Sequence, residues 1–285
     1  MVKFTLPEWV KEHNIQYNSI DDVPVEKINK IRGGLKQFQV KNPEVSIVIP
    51  AYNEEKDILK TLSSLSKIKT KYATELIVAN NNSKDRTQEI LDMLGVKSVF
   101  AKDQGISYAR QAGLEAAKGK YILNADSDSI YPPNWCDPYV EALKNPEVSC
   151  VYGTYSFIPG GKTNRASLAL YEIIARSLFS IKRKNRECVN VMGFNFAFRK
   201  KDGIEVGGFN HNLNRKVTGR SEDGWMALCL MKAGKIQFLS SPDVTVWTSD
   251  RRLMDDGGLS QAFVRRIKRE ASKIGMYFRP TPIGN

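Results

Sequence analysis

The chain has 285 residues, of which 41% are hydrophobic and 26% are charged. These proportions are ordinary for globular proteins, so the chain is expected to form a substantial core. Lys and Arg number 43 against 31 Asp and Glu, which gives a formal net charge of +12. This excess favours an anionic partner, such as nucleotide phosphates, an acidic glycan, a membrane surface or nucleic acid, although solubility alone is a simpler explanation. Two histidines are too few to favour a histidine-based zinc site.

The cysteines and the amino terminus indicate the cellular compartment. Cys136, Cys150, Cys188 and Cys229 are widely spaced and form no metal-ligand pattern. We expect buried, reduced thiols, which points to a reducing compartment. The first residues lack the basic start and apolar run of a signal peptide, and no segment contains the ~20 apolar residues of a membrane span. The sequence therefore predicts a cytoplasmic protein, at most peripheral at the inner face of a membrane.

The first half of the chain alternates between predicted strands and helices. Residues 1–43 are polar and interrupted by proline and glycine, which predicts an N-terminal arm with one or two short helices. From Val45 to Pro50 the run VSIVIP is apolar and β-branched, as buried parallel strands are. The elements predicted next are a helix over 54–66, a strand over 75–80, a helix over 84–94 capped by Ser83, a strand over 96–101, a helix over 105–117 closed by Gly119 and a strand over 119–126. This alternation predicts an α/β fold, with right-handed crossovers and a mostly parallel sheet flanked by helices.

The second half has a looser pattern. Its predicted elements are a helix over 134–144, a strand near 148–157, a helix over 165–181, a strand over 192–199, a helix over 221–234 opened by Ser221 and a strand over 235–240. A basic amphipathic helix follows near the carboxyl terminus, with Phe263, Ile267 and Ile274 available for an apolar face. We predict one domain over 44–250, in which 44–131 bind a nucleotide and 132–250 bind an acceptor. The basic helix and tail occupy 251–285.

Asp126, Ser127 and Asp128 follow the last predicted strand of the first half. Open α/β sheets bind ligands at the carboxyl ends of their strands, so both carboxylates are expected at a binding site. Two unpaired carboxylates in close contact repel each other. A divalent cation that bridges to a diphosphate removes this repulsion, because Mg²⁺ and Mn²⁺ prefer carboxylate and phosphate oxygens. The alternative is a turn in which these residues cap the helix after Pro132-Pro133.

Four segments, in this order, resemble glycosyltransferase family 2. They are VSIVIPAYNEE (45–55), LIVANNNSKDRT (76–87), GISYARQAGLEAAKGKYILNADSD (105–128) and SEDGWMALCLMKAG (221–234). The resemblance covers about residues 45–250. It implies the GT-A fold, which is a Rossmann-like twisted sheet, and transfer of a sugar from a nucleoside-diphosphate sugar with inversion at the anomeric carbon.

The resemblance also implies a donor site. Its residues would be Pro50, Tyr52, Glu54, Asn80, Arg110, Asp126, Ser127, Asp128, Arg251 and Arg252. Asp128 would ligate Mn²⁺ or Mg²⁺ between the phosphates, and Asp126 would approach the ribose. Asn80 stands where the family usually has an aspartate that binds the base; the base therefore stays open, with UDP slightly favoured. Arg110 would fix the loop or the phosphates, or it would be a surface arginine paired with a carboxylate. Arg251 and Arg252 would close over the diphosphate or lie in an ordinary exposed loop.

The acceptor side is implied by the second acidic pair. Asp223 occupies the position of the family's acidic motif and would be the base that deprotonates the acceptor hydroxyl. The alternative is favourable charge at a helix N-terminus. Glu222, Asn195 and Trp225 would contact the acceptor, although tryptophan is more often a core residue.

These motifs indicate a metal-dependent enzyme of surface polysaccharide or glycoconjugate synthesis, with a glycan or lipid-linked acceptor. A peripheral membrane contact through the basic C-terminal helix would suit a lipid-linked acceptor. An enzyme that modifies nucleic acid or protein is an alternative, but no basic motif with interleaved aromatic residues favours nucleic acid. The remaining alternative is a non-catalytic scaffold that binds sugar nucleotides, which would have no need for Asp126, Asp128 and Asp223 together.

Overall fold

The computed structural model describes residues 2–161, 163–213, 221–255 and 257–279. Within these residues, ten strands form two sheets. In chain order the strands are β1 (Val45–Ala51), β2 (Thr74–Asn80), β3 (Lys97–Phe100), β4 (Tyr121–Asn124), β5 (Ser129–Ile130), β6 (Val148–Tyr152), β7 (Tyr155–Ile158), β8 (Phe196–Arg199), β9 (Lys235–Phe238) and β10 (Val246–Ser249).

The described helices surround these strands. They are α1 (Glu8–His13), α2 (Val25–Leu35), α3 (Ile58–Leu65), α4 (Thr87–Leu94), α5 (Ile106–Ala116), α6 (Cys136–Leu143), α7 (Arg165–Arg183), α8 (Lys200–Glu205), α9 (Glu222–Leu230), α10 (Arg251–Asp255) and α11 (Leu259–Tyr277). Short 3-10 helices span Ile20–Asp22, Lys36–Phe38, Glu187–Asn190 and Pro242–Val244.

The larger sheet has seven strands in the order β3-β2-β1-β4-β8-β6-β9. Strand β8 runs antiparallel to β4 and β6, and the other neighbouring strands are parallel. Every residue of β1 and β2 is buried, as expected for parallel strands that helices cover on both faces. The predicted α/β fold with a mostly parallel sheet is confirmed.

Helix α5 packs closely on β1 because a glycine faces the strand. A Cβ atom on Gly113 would lie 2.3 Å from Cγ1 of Val48, far inside van der Waals contact. The helix starts after Gly105, whose φ of 145° lies in a region that side chains disfavour. The first turn of α5 is therefore held at the carboxyl edge of the sheet.

The smaller sheet has the strand order β5-β10-β7. In it, Trp247 of β10 is buried with Ile130 of β5 and with Val10 of the N-terminal arm. The hydroxyl of Ser129 donates to the hydroxyl of Thr248 at 3.0 Å. Because β5 begins directly after Asp128, these contacts anchor the loop between β4 and β5.

Two predicted helix ends were wrong. Helix α4 begins at Thr87 and is not capped by Ser83, because Asp85 accepts from the backbone N–H of Thr87 at 3.0 Å and terminates the preceding turn. The C-cap of α5 is Ala117 rather than Gly119. The N–H of Gly119 donates to the hydroxyl of Ser46 at 2.9 Å, so that glycine lies in the bend before β4.

Other boundaries differed less. The strand predicted near 148–157 is two strands, β6 and β7, because the chain turns at Gly153, whose N–H donates to the carbonyl of Asn195 at 3.1 Å. The predicted cap at Ser221 is confirmed, since its hydroxyl accepts from the N–H of Gly224 at 3.4 Å.

Both ends of the described chain pack on the domain. Ile20, Ile28 and Ile31 of the N-terminal arm are buried in the main core cluster. Helix α11 lies against α7, where Nζ of Lys182 is 2.6 Å from a carboxylate oxygen of Glu270. The four cysteines are free, as predicted. None of the described helices combines the length and the apolarity that a membrane span requires.

Candidate active site

A cavity of about 260 Å³ lies at the carboxyl ends of β1 and β4. Its walls come from the end of β1, the start of α5 and the loop between β4 and β5, which meet because parallel strands end at the same edge of a sheet. The lining residues are Pro50, Ala51, Tyr52, Glu54, Asn81, Gln104, Gly105, Ile106, Ala109, Asp126, Ser127, Asp128 and Arg251. The cavity thus brings together most residues of the predicted donor site.

Arg110 lies below this cavity with a fully buried side chain, exposed by 0%. Its Nη2 atom donates to Oδ1 of Asp126 at 2.7 Å, and its Nε atom lies 3.6 Å from Oε1 of Glu222. A Cβ atom on Gly193 would lie 2.4 Å from Nη2, so a glycine is needed beside the guanidinium. Arg110 is therefore a buried link between the two acidic motifs, and the surface alternative does not apply.

Arg251 lies over the acidic side of the cavity. Its guanidinium is 3.0 Å from Oε1 of Glu54, 2.9 Å from Oδ2 of Asp57 and 3.3 Å from Oδ2 of Asp128. Burial raises the pKa of Glu54 to about 7; Arg251 opposes this rise, and the charges of Asp128 and Asp57 add to it. Three carboxylates thus share one arginine, which compensates their mutual repulsion.

The sequence profile of glycosyl transferase family 2 matches residues 46–206, more than half of the chain. The chain belongs to glycosyltransferase family 2. The resemblance seen in the sequence motifs is thereby confirmed.

Several similar proteins carry names that state a function. A chondroitin synthase of Escherichia coli is 36% identical over 124 residues, which are 41% of this chain and 18% of that protein. A dolichol-phosphate mannosyltransferase of Pyrococcus furiosus is 27% identical over 57% of this chain and 49% of its own length. The Escherichia coli glucosyltransferase WfgD, named for the acceptor GlcNAc-diphosphoundecaprenol, is 31% identical over 40% of this chain and 46% of its own length. This chain therefore spans less than half of these relatives.

Solved structures of glycosyltransferases have the same fold. S. aureus TarS 1–349 in complex with UDP matches with a TM-score of 0.57 and 18% identity over 72% of this chain and 60% of that one. A mannosyltransferase of Pyrobaculum calidifontis, solved with GDP-Man and Mn²⁺, matches with a TM-score of 0.56 and 18% identity over 86% of this chain and 72% of that one. The GT-A fold is therefore confirmed for this family 2 chain.

The Asp126–Asp128 loop fits a divalent cation through its oxygen ligands. Both carboxylates lie at the cavity wall, each with 7% of its surface exposed. Hard cations such as Mg²⁺ and Mn²⁺ bind one or two carboxylates together with substrate phosphates. Among the described residues, no group of three or more Asp, Glu, His or Cys side chains is placed to hold a metal. A cation at this loop would complete its coordination with substrate phosphates and water.

The second acidic pair of this family 2 chain lies at the start of α9, next to the 126–128 loop. Oδ2 of Asp223 accepts from the N–H of Gly193 at 2.7 Å, and Oδ1 accepts from the N–H of Gly224 at 2.7 Å. These two bonds fix the plane of the carboxylate. Burial and the neighbouring Asp223 raise the pKa of Glu222, while Arg110 opposes this rise.

Some predicted site residues do not line this cavity. The side chain of Asn80 donates to Gln88 at 2.8 Å and accepts from the N–H of Ser83 at 3.0 Å, so its polar atoms are used within the protein. Trp225 lies half-buried on α9. The side chain of Arg252 lies outside the described residues.

Asn195, predicted at the acceptor, is fully occupied by internal hydrogen bonds. Its amide donates to the carbonyls of Thr154 at 2.7 Å and Val244 at 3.0 Å. Its carbonyl oxygen accepts from Trp135 at 2.9 Å and Tyr139 at 2.5 Å. With four protein partners, Asn195 holds the fold of this region and offers no polar atom to an acceptor.

The sequence did not indicate Asn81 and Gln104 as cavity residues. Asn81 accepts from the N–H of Gly105 at 2.7 Å and donates to the carbonyl of Asp103 at 2.6 Å. Gln104 donates to the carbonyl of Asn81 at 2.7 Å. These bonds hold the loop before α5 against the end of β2. The run of three asparagines at 80–82 was the available signal, since such residues favour turns after a strand.

Proposed function

We propose that this chain transfers a sugar from a nucleoside-diphosphate sugar to a hydroxyl group of a glycan or lipid-linked acceptor, with inversion at the anomeric carbon. The observation that carries the proposal is the convergence of Asp126, Asp128 and Glu54 on one cavity at the carboxyl edge of the sheet. The names of the relatives support a role in polysaccharide or glycoconjugate synthesis. A UDP-sugar is the favoured donor, since TarS was solved with UDP and with UDP-GlcNAc.

On the donor side, the nucleotide would lie along Pro50 and Tyr52. Asp128, with Asp126 beside it, would hold Mn²⁺ or Mg²⁺ against the diphosphate. When bound, the cation supplies Lewis-acid stabilisation of the departing diphosphate. Arg251 would then exchange a carboxylate partner for the diphosphate, because a guanidinium binds phosphate as well as carboxylate.

On the acceptor side, Asp223 would act as the base. It would take the proton from the acceptor hydroxyl while that oxygen attacks the anomeric carbon and the bond from this carbon to the diphosphate breaks. The backbone bonds from Gly193 and Gly224 orient the carboxylate for this step. Arg110 would hold Asp126 and Glu222 in fixed positions relative to each other through the buried contacts at 2.7 and 3.6 Å.

Calorimetry with UDP, GDP, CDP and dTDP, each with Mn²⁺ or with a chelator, tests the donor site. We expect metal-dependent binding of one diphosphate by the wild type and its loss in Asp128→Ala. Asp92→Ala, at an exposed position of α4, is the matched control and should bind as the wild type does. Absence of binding for all four diphosphates would refute the donor site.

Asp223→Asn separates binding from catalysis. This variant should bind the diphosphate normally and lose transfer by at least ~100-fold, the lower range of general base catalysis. Full activity of Asp223→Asn would remove Asp223 from the reaction.

We also propose that α11 contacts an anionic membrane. Its exposed face carries Val264, Ile267 and Ile274, which are 49%, 41% and 53% exposed, next to exposed basic residues such as Lys268. Amphipathic helices of this composition bind anionic lipid surfaces. Sedimentation with vesicles should show binding to anionic but not to neutral lipid, and Ile267→Glu should weaken it. Equal sedimentation with both kinds of vesicle would contradict this contact.

A further inference from the structure

A second cavity, of about 270 Å³, lies at the carboxyl ends of β6 and β9 and is closed on one side by α7. Strands β6 and β4 run in the same direction, because each is antiparallel to β8. The second cavity therefore opens at the same edge of the sheet as the donor cavity. It lies in the half of the chain that follows the 126–128 loop.

Two arginines of α7, Arg176 and Arg183, line this second cavity. The Nε atoms of both are buried and have no hydrogen-bond partner among the described residues. Arg176 donates through Nη2 to the carbonyl of Tyr155 at 3.0 Å, and the guanidinium of Arg183 stacks on the ring of Phe238 at 3.7 Å. Neither arginine takes part in an ion pair within the described part of the chain. Burial lowers the pKa of Arg176, and the charge of the nearby Glu172 opposes this change.

The acidic residues near these arginines, Glu172 and Glu187, act on them through their charge but form bonds with other groups. Glu172, which also lines the cavity, lies 2.7 Å from Nη2 of Arg165 and accepts from the N–H of Phe157 at 2.7 Å. Glu187 accepts from the hydroxyl of Tyr152 at 3.1 Å. Because two arginines and one glutamate line the cavity, its wall carries an excess of positive charge. Desolvated guanidinium groups in such a wall are compensated best by an oxyanion from outside.

Aromatic side chains form much of the remaining wall. Tyr152, Tyr155, Phe179 and Phe238 line the cavity, and the rings of Tyr155 and Phe179 lie 6.1 Å apart. Aromatic faces pack against the apolar faces of sugar rings, and serine and threonine hydroxyls at Thr154, Ser180 and Ser240 offer hydrogen bonds. This combination suits a sugar that carries a negative charge.

One short segment, residues 193–195, connects this cavity to the reaction centre. Gly193 binds Asp223 at 2.7 Å. The carbonyl of Phe194 accepts from the hydroxyl of Tyr131, which itself accepts from the N–H of Asp126. The ring of Phe194 contacts that of Tyr155 in the cavity wall, with centroids 5.7 Å apart. Residues 193 and 194 therefore link the wall of the second cavity to the carboxylate of Asp223, the proposed base.

We infer that the second cavity is the acceptor subsite and that it selects acceptors with an anionic group, a carboxylate or a phosphate, bound by Arg176 and Arg183. This inference rests on the proposed transferase function. It names the acceptor's charge, which the donor chemistry leaves open. Arg183 is the better residue to change, since Arg176 also supports the backbone of Tyr155.

Calorimetry with matched ligands tests the inference without any donor. The first pair is a tetrasaccharide of alternating glucuronic acid and N-acetylhexosamine and its carboxyl-reduced, neutral derivative. The second pair is N-acetylglucosamine diphosphate with an octyl group and the neutral octyl glycoside. We expect one anionic ligand to bind more tightly than its neutral counterpart. Preference for the first pair identifies a uronic acid as the source of the charge, and preference for the second identifies a phosphate.

Variants assign the preference to this cavity. Arg183→Gln should weaken binding of the preferred anionic ligand about 10- to 100-fold, as the loss of a charged hydrogen bond does, and Arg183→Lys should restore part of it. Lys184→Gln removes one exposed charge from the end of the same helix and should have no effect. Melting temperatures of all variants should match that of the wild type.

Two results would overturn the inference: equal affinity for charged and neutral ligands in both pairs, or unchanged affinity of folded Arg183→Gln. Diphosphate binding with Mn²⁺, measured on the same preparations, reports the donor site separately. Loss of that binding with retained selectivity for anionic ligands would refute the transferase and leave the cavity a binding site.

Discussion

Replacing Glu54 by glutamine tests whether burial in the first cavity raises the pKa of this carboxyl group. The Glu54 side chain is 14% exposed, and burial raises its pKa from 4.5 to about 7. The unfolded chain releases the proton near the lower value, while the folded chain retains it to the higher one. The raised pKa therefore stabilises the protonated folded state, and this stability is lost as the pH rises from about 4.5 through about 7.

The size of the effect follows from the shift. One pKa unit corresponds to ~1.36 kcal/mol, so the shift of Glu54 amounts to roughly 3 kcal/mol. The glutamine side chain cannot ionise, so Glu54→Gln does not lose this stability as the pH rises. For a chain of this length ~1 kcal/mol moves the melting temperature by about 2 °C. Relative to Glu54→Gln, the wild type should therefore melt about 6 °C lower at pH 8 than at pH 4.

Thermal denaturation of both proteins across this pH range measures the difference. Other groups titrate in both proteins, so their effects cancel in the comparison. Glu26→Gln, at an exposed position in the first turn of α2, is the control and should follow the wild type. A difference in melting temperature between the wild type and Glu54→Gln that stays constant at all pH values would refute the reasoning. It would mean that Arg251 keeps Glu54 ionised.

Three further changes have defined outcomes. Gly113→Ala should cost about 1–3 kcal/mol in urea unfolding, because it overpacks the contact with Val48; Gly33→Ala, where a Cβ meets nothing within 4 Å, should be neutral or stabilising by up to ~1 kcal/mol. Arg110→Met leaves Asp126 without its buried partner and should destabilise by about 3–5 kcal/mol; a loss below ~1 kcal/mol would contradict a buried pair. Arg251→Ala should raise Mn²⁺ affinity without nucleotide, measured by electron paramagnetic resonance; unchanged affinity would show that the arginine does not compete.

The fold could be predicted because its signals are local. The run VSIVIP is apolar at every position, and the structure buries all of β1. The helix opened by Ser221 was predicted from a side chain three residues from its partner Gly224. Errors arose at ends such as Ser83, where a tertiary contact decides the outcome: its hydroxyl accepts from the N–H of Asn53, 30 positions away.

The sequence indicated which carboxylates lie at the candidate site, but it did not indicate which side chains they contact. Asp126 and Asp128 follow a strand, and position on a parallel sheet is sufficient to bring them to the carboxyl edge. The partnership of Arg251 with Glu54 spans 197 positions, and no sequence pattern encodes it. For Asn195, the family-like segment suggested a contact with the acceptor, but the structure uses its side chain entirely for internal hydrogen bonds.

Residues 193–195 link the candidate donor site to the second cavity. The linked parts can nevertheless change independently of each other. Gly193 fixes Asp223, and its missing side chain leaves room for Arg110. These contacts tolerate little change, because a Cβ atom would collide with the guanidinium. The arginines on α7 touch none of these atoms through the contacts described, and Arg183 meets the ring of Phe238 at the far wall. If the second cavity binds the acceptor, substitutions on α7 would alter the charge of the acceptor while the position of Asp223 is preserved.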